Sequence, residues 1–517
     1  MKIVTGAQMR AIDKITIEEY GVPGLTLMER AARAVTDLVI RRLREHGWKR
    51  VLVLCGKGNN GGDGFAVARQ LFAAGYAPQL VFTEKPDALE GDALSNYRRL
   101  EALFSVGEYK AGGFDELVGK ADIVVDALLG TGIRGDVREP IRGVIESVNK
   151  YARYVISVDI PSGVGDADEN QGAAAVIADE TVTFALPKLS LLTGKGPACC
   201  GRLHVADIGI PRDVAEAVQS PYRMLTPKEA AALLPSRKPR SNKGSYGKVL
   251  LFAGSREMAG AAYLAAKSAY RAGAGLVYCL VPEEIASTLQ ILIPEAITLP
   301  YEAGATIHFG EKAENILASA DVLAAGPGLG QSPAIRRALR KLLRRFSGQI
   351  VLDADGLNLI QEDPRILRDC QKIPLITPHP GEMSRLTGKP VTEILASPLT
   401  TAKAFAEKYR AATLLKDHRT VIARPDGEIY LNPSGNTALA KGGSGDVLTG
   451  LVAGLGAQGM DIFHAAALGA WLHGRAGELL SETMTEYAPL AGEIADAIPE
   501  FLRRLKDFSF CMRQKML

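Results

Sequence analysis

Short, unbroken apolar runs alternating with helical amphipathic stretches set the pattern of the chain. The run Val51-Leu52-Val53-Leu54-Cys55 has no polar position and predicts a strand covered on both faces, as in a parallel sheet. Ahead of it, residues 7–20 and 25–46 carry apolar positions at helical spacing and predict two amphipathic helices divided at Gly21-Val22-Pro23-Gly24. Behind it, residues 65–74 predict a helix, reached through the glycine-rich loop Gly56-Lys57-Gly58-Asn59-Asn60-Gly61-Gly62-Asp63-Gly64. Further strands are expected at 79–83, 122–128, 154–157, 181–186 and 203–208. A second strand–loop–helix series opens at 247–254. It continues through strands at 276–281, 321–325, 349–352, 375–376 and 412–415, and a hairpin turning at Pro425-Asp426-Gly427. Strands alternating with helices predict an α/β class with two three-layer αβα domains. The proline-punctuated stretch 211–245 marks the expected boundary between them.

Composition narrows the classes that remain. A chain of 517 residues exceeds one ordinary core, which again calls for two or more domains. Its formal net charge of +3 is small for this length, so neither nucleic acid nor a membrane surface is expected as a partner. No run approaches a membrane span and Met1 to Gly6 has no apolar signal core, so a cytoplasmic location is expected. Cys55, Cys199, Cys200, Cys279, Cys370 and Cys511 lack paired metal-ligand spacing.

The densest chemical signal is Gly442-Gly443-Ser444-Gly445-Asp446, followed at once by the apolar run Val447 to Ala453. Glycines free the backbone to turn several amide N–H groups toward one anion, and a helix starting here would add its positive end. Asp446 beside a bound phosphate would serve to take a proton from an attacking hydroxyl. The competing reading is a glycine-rich turn with an aspartate helix cap. In the first half, Asp126, Asp159 and Ser162 fall at the carboxyl ends of neighbouring strands, as does the Asn59-Asn60 loop. A parallel sheet gathers its ligand there. Asn60, Asp126 and Ser162 together offer only oxygen donors with one certain negative charge, which suits a hard cation or a direct ligand contact and not zinc.

Taken together, these motifs resemble a known pair of families. The second half resembles the ribokinase-like ADP/ATP-dependent NAD(P)H-hydrate dehydratases through Gly326-Pro327-Gly328-Leu329-Gly330, Asp353-Ala354-Asp355, Thr377-Pro378-His379-Pro380-Gly381-Glu382, the Lys416 loop and the stretch 432–450. The first half is similar to the NAD(P)H-hydrate epimerases through Gly58 to Gly64, Gly130-Thr131-Gly132 and Asp159-Ile160-Pro161-Ser162-Gly163. The order of the two is that of the bifunctional bacterial repair enzymes, and the resemblance covers nearly the whole chain.

The resemblance implies a Rossmann-like epimerase domain over residues 1–218 and a ribokinase-like dehydratase domain over 223–507. It implies NADH and NADPH hydrates as substrates, epimerised between R and S forms at C6, the S form then being dehydrated at the expense of ADP or ATP. Contacts to the hydrate would come from Asn59, Asn60, Gly61, Gly62, Asp63, Gly130, Thr131, Gly132, Ile133, Arg134, Gly135, Asp136 and Asp159 in the first half. In the second they would come from Ala261, Gly328, His379 and Asp446. Lys416, Asp417, His418, Arg419, Thr420 and Gly445 would line the nucleotide, with magnesium accompanying it. Asn60, Asp126 and Ser162 match the family's potassium ligands. Asp446 is the expected base of the dehydratase and Asp159 the expected acid/base of the epimerase. A homo-oligomer is expected. The alternative is a vitamin-precursor kinase of the ribokinase-like superfamily fused to a nucleotide-binding domain, which shares Asp446 and its glycine loop but not the first-half motifs.

Overall fold

The computed structural model describes residues 1–103, 106–110, 112–132, 135–165 and 174–514, with side chains described as far as residue 507. The chain forms two compact units, Lys2–Tyr222 and Arg223–Leu517, Met1 belonging with the second. Among the described residues no helix is long and apolar enough to cross a membrane.

The first unit is built on a seven-stranded sheet: β1 (Val51–Cys55), β2 (Gln79–Phe82), β3 (Gly107–Glu108), β4 (Ile123–Ala127), β5 (Val155–Val158), β6 (Glu180–Phe184) and β7 (Arg202–Ala206). The spatial order is β3-β2-β1-β4-β5-β6-β7, and every pairing is parallel. Helices cover both faces, because strands that are apolar at every position must be buried on both sides. The strand order reverses between β1 and β4. Their carboxyl ends therefore flank the crevice where such sheets bind ligands.

In the second unit the strands are β8 (Tyr222–Arg223), β9 (Lys248–Phe252), β10 (Leu276–Pro282), β11 (Ile297–Tyr301), β12 (Val322–Ala325), β13 (Gln349–Leu352), β14 (Leu375–Ile376), β15 (Ala412–Leu415), β16 (Thr420–Ala423) and β17 (Ile429–Asn432). They lie in the order β11-β10-β9-β12-β13-β14-β15-β16-β17-β8. The ladder is parallel as far as β15 and turns antiparallel through β16 and β17. Here the reversal falls between β9 and β12. Three strands escape the sequence pattern, β8 because it is only two residues long and lies within the stretch read as a boundary. Strand β3 is short and exposed, so it carries no apolar signal, and β11 contains Pro300, which an edge strand tolerates.

The glycine stretches fold differently from the loops the sequence predicts. Asn59 to Gly64 forms the first turns of a helix, Asn59–Ala73, rather than a loop ahead of it. The reason is packing. A Cβ at Gly61 would stand 1.7 Å from the Gly56 carbonyl oxygen, and one at Gly64 would stand 2.6 Å from both Ala127 Cβ and Cys55 Sγ. Missing side chains let this helix start directly on the ends of β1 and β4. In the second unit the helices Ala259–Arg271 and Ser444–Ala457 cross by the same means, since a Cβ at Gly450 would lie 2.0 Å from the Ala265 carbonyl oxygen. The last helix runs from Ala491 to Gln514.

Close approach at Gly61 makes it intolerant of any side chain. Gly61→Ala should lower the stability of the protein by about 1–3 kcal/mol through overpacking. Gly58→Ala, at a position with open space around it, should change stability by about 0.5 kcal/mol or less. Urea unfolding midpoints of the two variants check the contrast.

Candidate active sites

At the carboxyl edge of the second sheet, loops following β13, β14 and β15 converge. Lys416, just past β15, places its Nζ 2.7 Å from Asp353 Oδ1, just past β13, and 3.9 Å from Glu382. The other Asp353 oxygen accepts from Thr449 Oγ1 at 2.8 Å, on the helix Ser444–Ala457. Burial works against the Lys416 ammonium, but the Asp353 and Glu382 carboxylates outweigh it and its pKa lies above the ordinary value. Ala354, next to Asp353, has φ 47°, a left-handed conformation that costs a non-glycine residue of order 1 kcal/mol or more. The strain is held by the loop it shapes. The following carboxylate, Asp355, accepts from the Gly330 amide at 2.9 Å and from Gln331 Nε2 at 2.9 Å.

Gly443, with φ 88°, turns the chain into the helix Ser444–Ala457 without a side-chain cap. Asp446 lies in the first turn of this helix and does not cap it, so the reading of Asp446 as a helix cap fails. The amide N–H groups of Gly445 and Asp446 have no acceptor among the described residues and point out of a helix start, where an anion is favoured. A Cβ at Gly445 would stand 3.4 Å from Asp353 Oδ2 and 3.5 Å from Lys416 Nζ, which locates the glycine turn directly over that ion pair. Burial, reinforced by the Asp353 carboxylate and opposed by Lys416, pushes the Asp446 carboxyl up to about 7. A carboxyl poised near neutrality in such a place is suited to proton transfer.

The other expected contacts of this unit gather at the same edge. Gly328, with φ 59°, leaves only 2.9 Å between its would-be Cβ and Ala261 Cβ, so the two are neighbours. His379 caps the helix Pro380–Thr387, its Nδ1 accepting from the Gly381 amide at 3.0 Å, and its ring remains half-exposed. Chiefly through burial, its pKa lies below the ordinary value. The Lys416 amide donates to the Pro378 carbonyl at 2.8 Å and ties the loop expected to line the nucleotide to the His379 turn. Within that loop Asp417 is exposed, His418 is held below its ordinary pKa by burial and Arg419, Arg419 donates to the Pro433 carbonyl at 2.7 Å, and Thr420 opens β16. His473 is buried, 3.3 Å from Ser444 Oγ, and burial aided by Lys416 pulls it down to about 4, keeping its ring neutral.

In the first unit, Asp126 on β4 is fully buried and accepts from Ser157 Oγ at 2.8 Å, the Ser162 amide at 2.9 Å and Ser162 Oγ at 2.5 Å. Burial pushes its pKa up, against the pull of those donors. Asn60 Nδ2 donates to the Leu129 carbonyl at 2.9 Å, and Ser162 Oγ lies 3.3 Å from the same oxygen. Asn60 Oδ1 is buried with no partner. An orphaned acceptor beside a carboxylate and a hydroxyl is the donor set of a weakly charged hard cation, and potassium fits it. Among the described residues no cluster of three His, Cys, Asp or Glu side chains could hold a metal ion.

Gly130 packs on Asn60, and Thr131 Oγ1 accepts from Arg10 at 3.3 Å. Gly132, Gly135 and Asp136 are exposed, while Ile133 and Arg134 lie outside the described residues. Asp159 follows β5 with φ 61° and pairs with Lys188, a residue only 1% exposed. Asp63 and Asp13 complete the group electrostatically. Burial, then Asp159, pushes Asp63 well up, and burial pushes Asp13 up to about 6 against the pull of Lys188. Lys188, Asp13 and Thr449 join these sites with no motif to mark them, and Asp353 with a motif that carries no role. For Lys188 a signal existed: it is a lone cation inside the apolar run Phe184 to Leu192.

Comparisons with known proteins agree on both halves. Residues 249–500 match the family described as NAD(P)H-hydrate dehydratase, and residues 24–190 match the YjeF-related protein N-terminus. The bifunctional NAD(P)H-hydrate repair enzyme Nnr of Moorella thermoacetica is 40% identical over 98% of this chain and 98% of its own length. That of Thermofilum pendens is 37% identical, over 98% and 97%. Among solved structures, the ADP/ATP-dependent NAD(P)H-hydrate dehydratase of Bacillus subtilis, co-crystallized with ATP and Mg2+, is 34% identical. It covers 55% of this chain and 98% of that one, with a TM-score of 0.48.

The raised Asp446 pKa has a consequence for stability. Its carboxyl binds a proton more tightly in the folded chain than in the unfolded one, so ionisation penalises folding as pH rises from about 4 to about 7 and the penalty is constant above that. Asp446→Asn should therefore be more stable than the parent at pH 8, with the difference vanishing below about pH 4. Urea midpoints of both proteins across this range check it.

Proposed function

The chain belongs to the family of bifunctional NAD(P)H-hydrate repair enzymes, and on that premise we propose that its first unit interconverts the R and S hydrates of NADH and NADPH while its second dehydrates the S form using ADP. The observation that carries the second assignment is Asp446: a carboxyl held near neutrality in the first turn of a helix whose free amides face an anion site.

The chemistry follows from the leaving group. Hydroxide departs poorly from C6 of the hydrated ring, whereas phosphate departs well. Asp446 takes the proton of the C6 hydroxyl as its oxygen attacks the terminal phosphorus of ADP, and AMP leaves. The Gly445 and Asp446 amides hold the transferring group at the positive end of the helix. The ring nitrogen's lone pair then expels phosphate from C6, and loss of a C5 proton restores the C5–C6 double bond. Hydrate and ADP thus become NAD(P)H, AMP and phosphate. Lys416 sits beside the same turn, its charge shared with Asp353, where it can offset phosphate charge. With no cluster of three His, Cys, Asp or Glu side chains among the described residues, magnesium would arrive on the nucleotide's own phosphates, with at most one or two carboxylates, and would neutralise their charge.

For the first unit the same reading makes Asp159 the acid/base, with potassium held by Asn60, Asp126 and Ser162. Its support is the orphaned Asn60 oxygen and the strained, ion-paired Asp159.

Two measurements test these assignments. Incubation with NADH hydrate and ADP should restore absorbance at about 340 nm and release inorganic phosphate. Asp446→Asn should lower that rate by about 100-fold or more with nucleotide binding retained, and kcat/KM of the parent should fall as pH drops below about 7. A stable phosphorylated product in place of phosphate would instead point to a vitamin-precursor kinase. For the cation, potassium chloride should raise the melting temperature of the parent above its value in choline chloride, and Asn60→Ala should abolish the difference.

A further inference from the structure

The environment of Asp159 is lopsided. Its Oδ1 is held by three donors: the Lys188 ammonium at 2.5 Å, Thr183 Oγ1 at 3.0 Å and the Phe184 amide at 3.3 Å. Its Oδ2 has no partner among the described residues. The backbone beneath it is strained, and so is Ala185 at the end of the neighbouring β6, with φ 60°. Side chains held this firmly on one oxygen, over a backbone that would otherwise relax, are set for one direction.

Lys188 is itself over-determined. Its three N–H groups are matched by three acceptors: Asp159 Oδ1, Thr183 Oγ1 at 3.1 Å and the Phe184 carbonyl at 3.0 Å. The chain around it is pinned as well. Val4 and Lys188 form a parallel bridge, the Val4 amide donating to the Pro187 carbonyl at 3.0 Å and the Leu189 amide to the Val4 carbonyl at 2.8 Å. A fully buried ammonium is costly unless paired in this way, and apolar residues would fill the same volume with no such cost. Structural need alone does not account for it.

We propose that Lys188 is the positioning residue of the first unit's reaction, locking Asp159 through Oδ1 so that Oδ2 alone faces the substrate and takes up and returns the C6 hydroxyl proton. This rests on the epimerase reading of that unit. The step balances within the ring. Asp159 Oδ2 accepts the hydroxyl proton, the O–H electron pair becomes the second bond of a C6 aldehyde, and the C6–N1 bond breaks with its electrons delocalised from N1 through C2=C3 onto the carboxamide. After rotation about C5–C6, N1 attacks the opposite face of the aldehyde and the alkoxide recovers the proton from Asp159. No oxidant or other reactant is consumed. Asp13 and Asp63 are the remaining titratable groups near the pair; burial pushes both carboxyls up and Lys188 draws both down, but neither is hydrogen-bonded to the ammonium, which donates to Asp159 Oδ1, Thr183 Oγ1 and the Phe184 carbonyl.

The test uses the full chain and resolves the R and S hydrates of NADH during their interconversion, giving kcat and KM. The parent must interconvert them faster than buffer, and if it does not, the epimerase reading itself fails. Lys188→Met should lower kcat by about 100-fold with KM within about threefold of the parent. The double variant Asp159→Asn/Lys188→Met removes both buried charges together and so avoids an unpaired one. It should be no slower than Asp159→Asn alone, because the lysine acts only through that aspartate. Thr183→Val, which deletes another donor to Oδ1, should lower kcat by about 10-fold. It decides the matter if Lys188→Met does not fold. Turnover of Lys188→Met or Thr183→Val within about threefold of the parent would overturn the proposal. So would a double variant slower than Asp159→Asn by the whole Lys188→Met factor.

Discussion

A lysine taken out of water and neutralised by an aspartate at the carboxyl edge of a parallel sheet is the constraint on which each unit depends. In the first unit the pair is Lys188 with Asp159; in the second it is Lys416 with Asp353. Losing either partner would leave a bare charge in a poorly solvated place, at a cost of several kcal/mol. Each aspartate adjoins a non-glycine residue of positive φ or is one, at Asp159 and at Ala354. Tight pairing and backbone strain occur together at the same strand ends, where the surrounding fold is rigid enough to hold both.

Rigidity of that kind comes from glycine in a role opposite to flexibility. At Gly61, Gly64 and Gly450 the missing Cβ is what lets one backbone approach another, so helices begin directly on the sheet edge or cross at close range. In the first unit this sets the start of Asn59–Ala73 on the ends of β1 and β4, and in the second the start of Ser444–Ala457 lies over the Asp353–Lys416 pair. Gly443, by contrast, works as a turn residue: its left-handed φ aims the helix start that carries Asp446.

Electrostatics then separates the two aspartates of the second site. Asp353 is saturated by Lys416 and Thr449, whereas Asp446 has burial and the charge of Asp353 against it and is pushed up toward 7. One carboxylate is tied into an ion pair, and the other is the one proposed to exchange a proton. The two oxygens of Asp159 are likewise unequal, one held by three donors and the other without a partner among the described residues.

Much of this was legible in the chain itself. Continuous apolar runs marked nearly every central strand, because a strand buried on both faces needs no polar position, and the motifs at their carboxyl ends marked where ligand chemistry would gather. Asn60, Asp126, Ser162 and Asp446 stood out by residue type and by place. Lys188 left only the faint signal of a lone cation in an apolar run, and Asp353 only membership of a motif with no role attached, since the partners that give each its part lie far off in sequence. Nor could the sequence separate the glycines that permit close packing from those that turn the chain. Local pattern reports what a segment prefers. Which distant backbone presses against Gly61, and which carboxylate meets Lys188, is decided only when the sheets close, because burial and charge pairing are properties of neighbours in space.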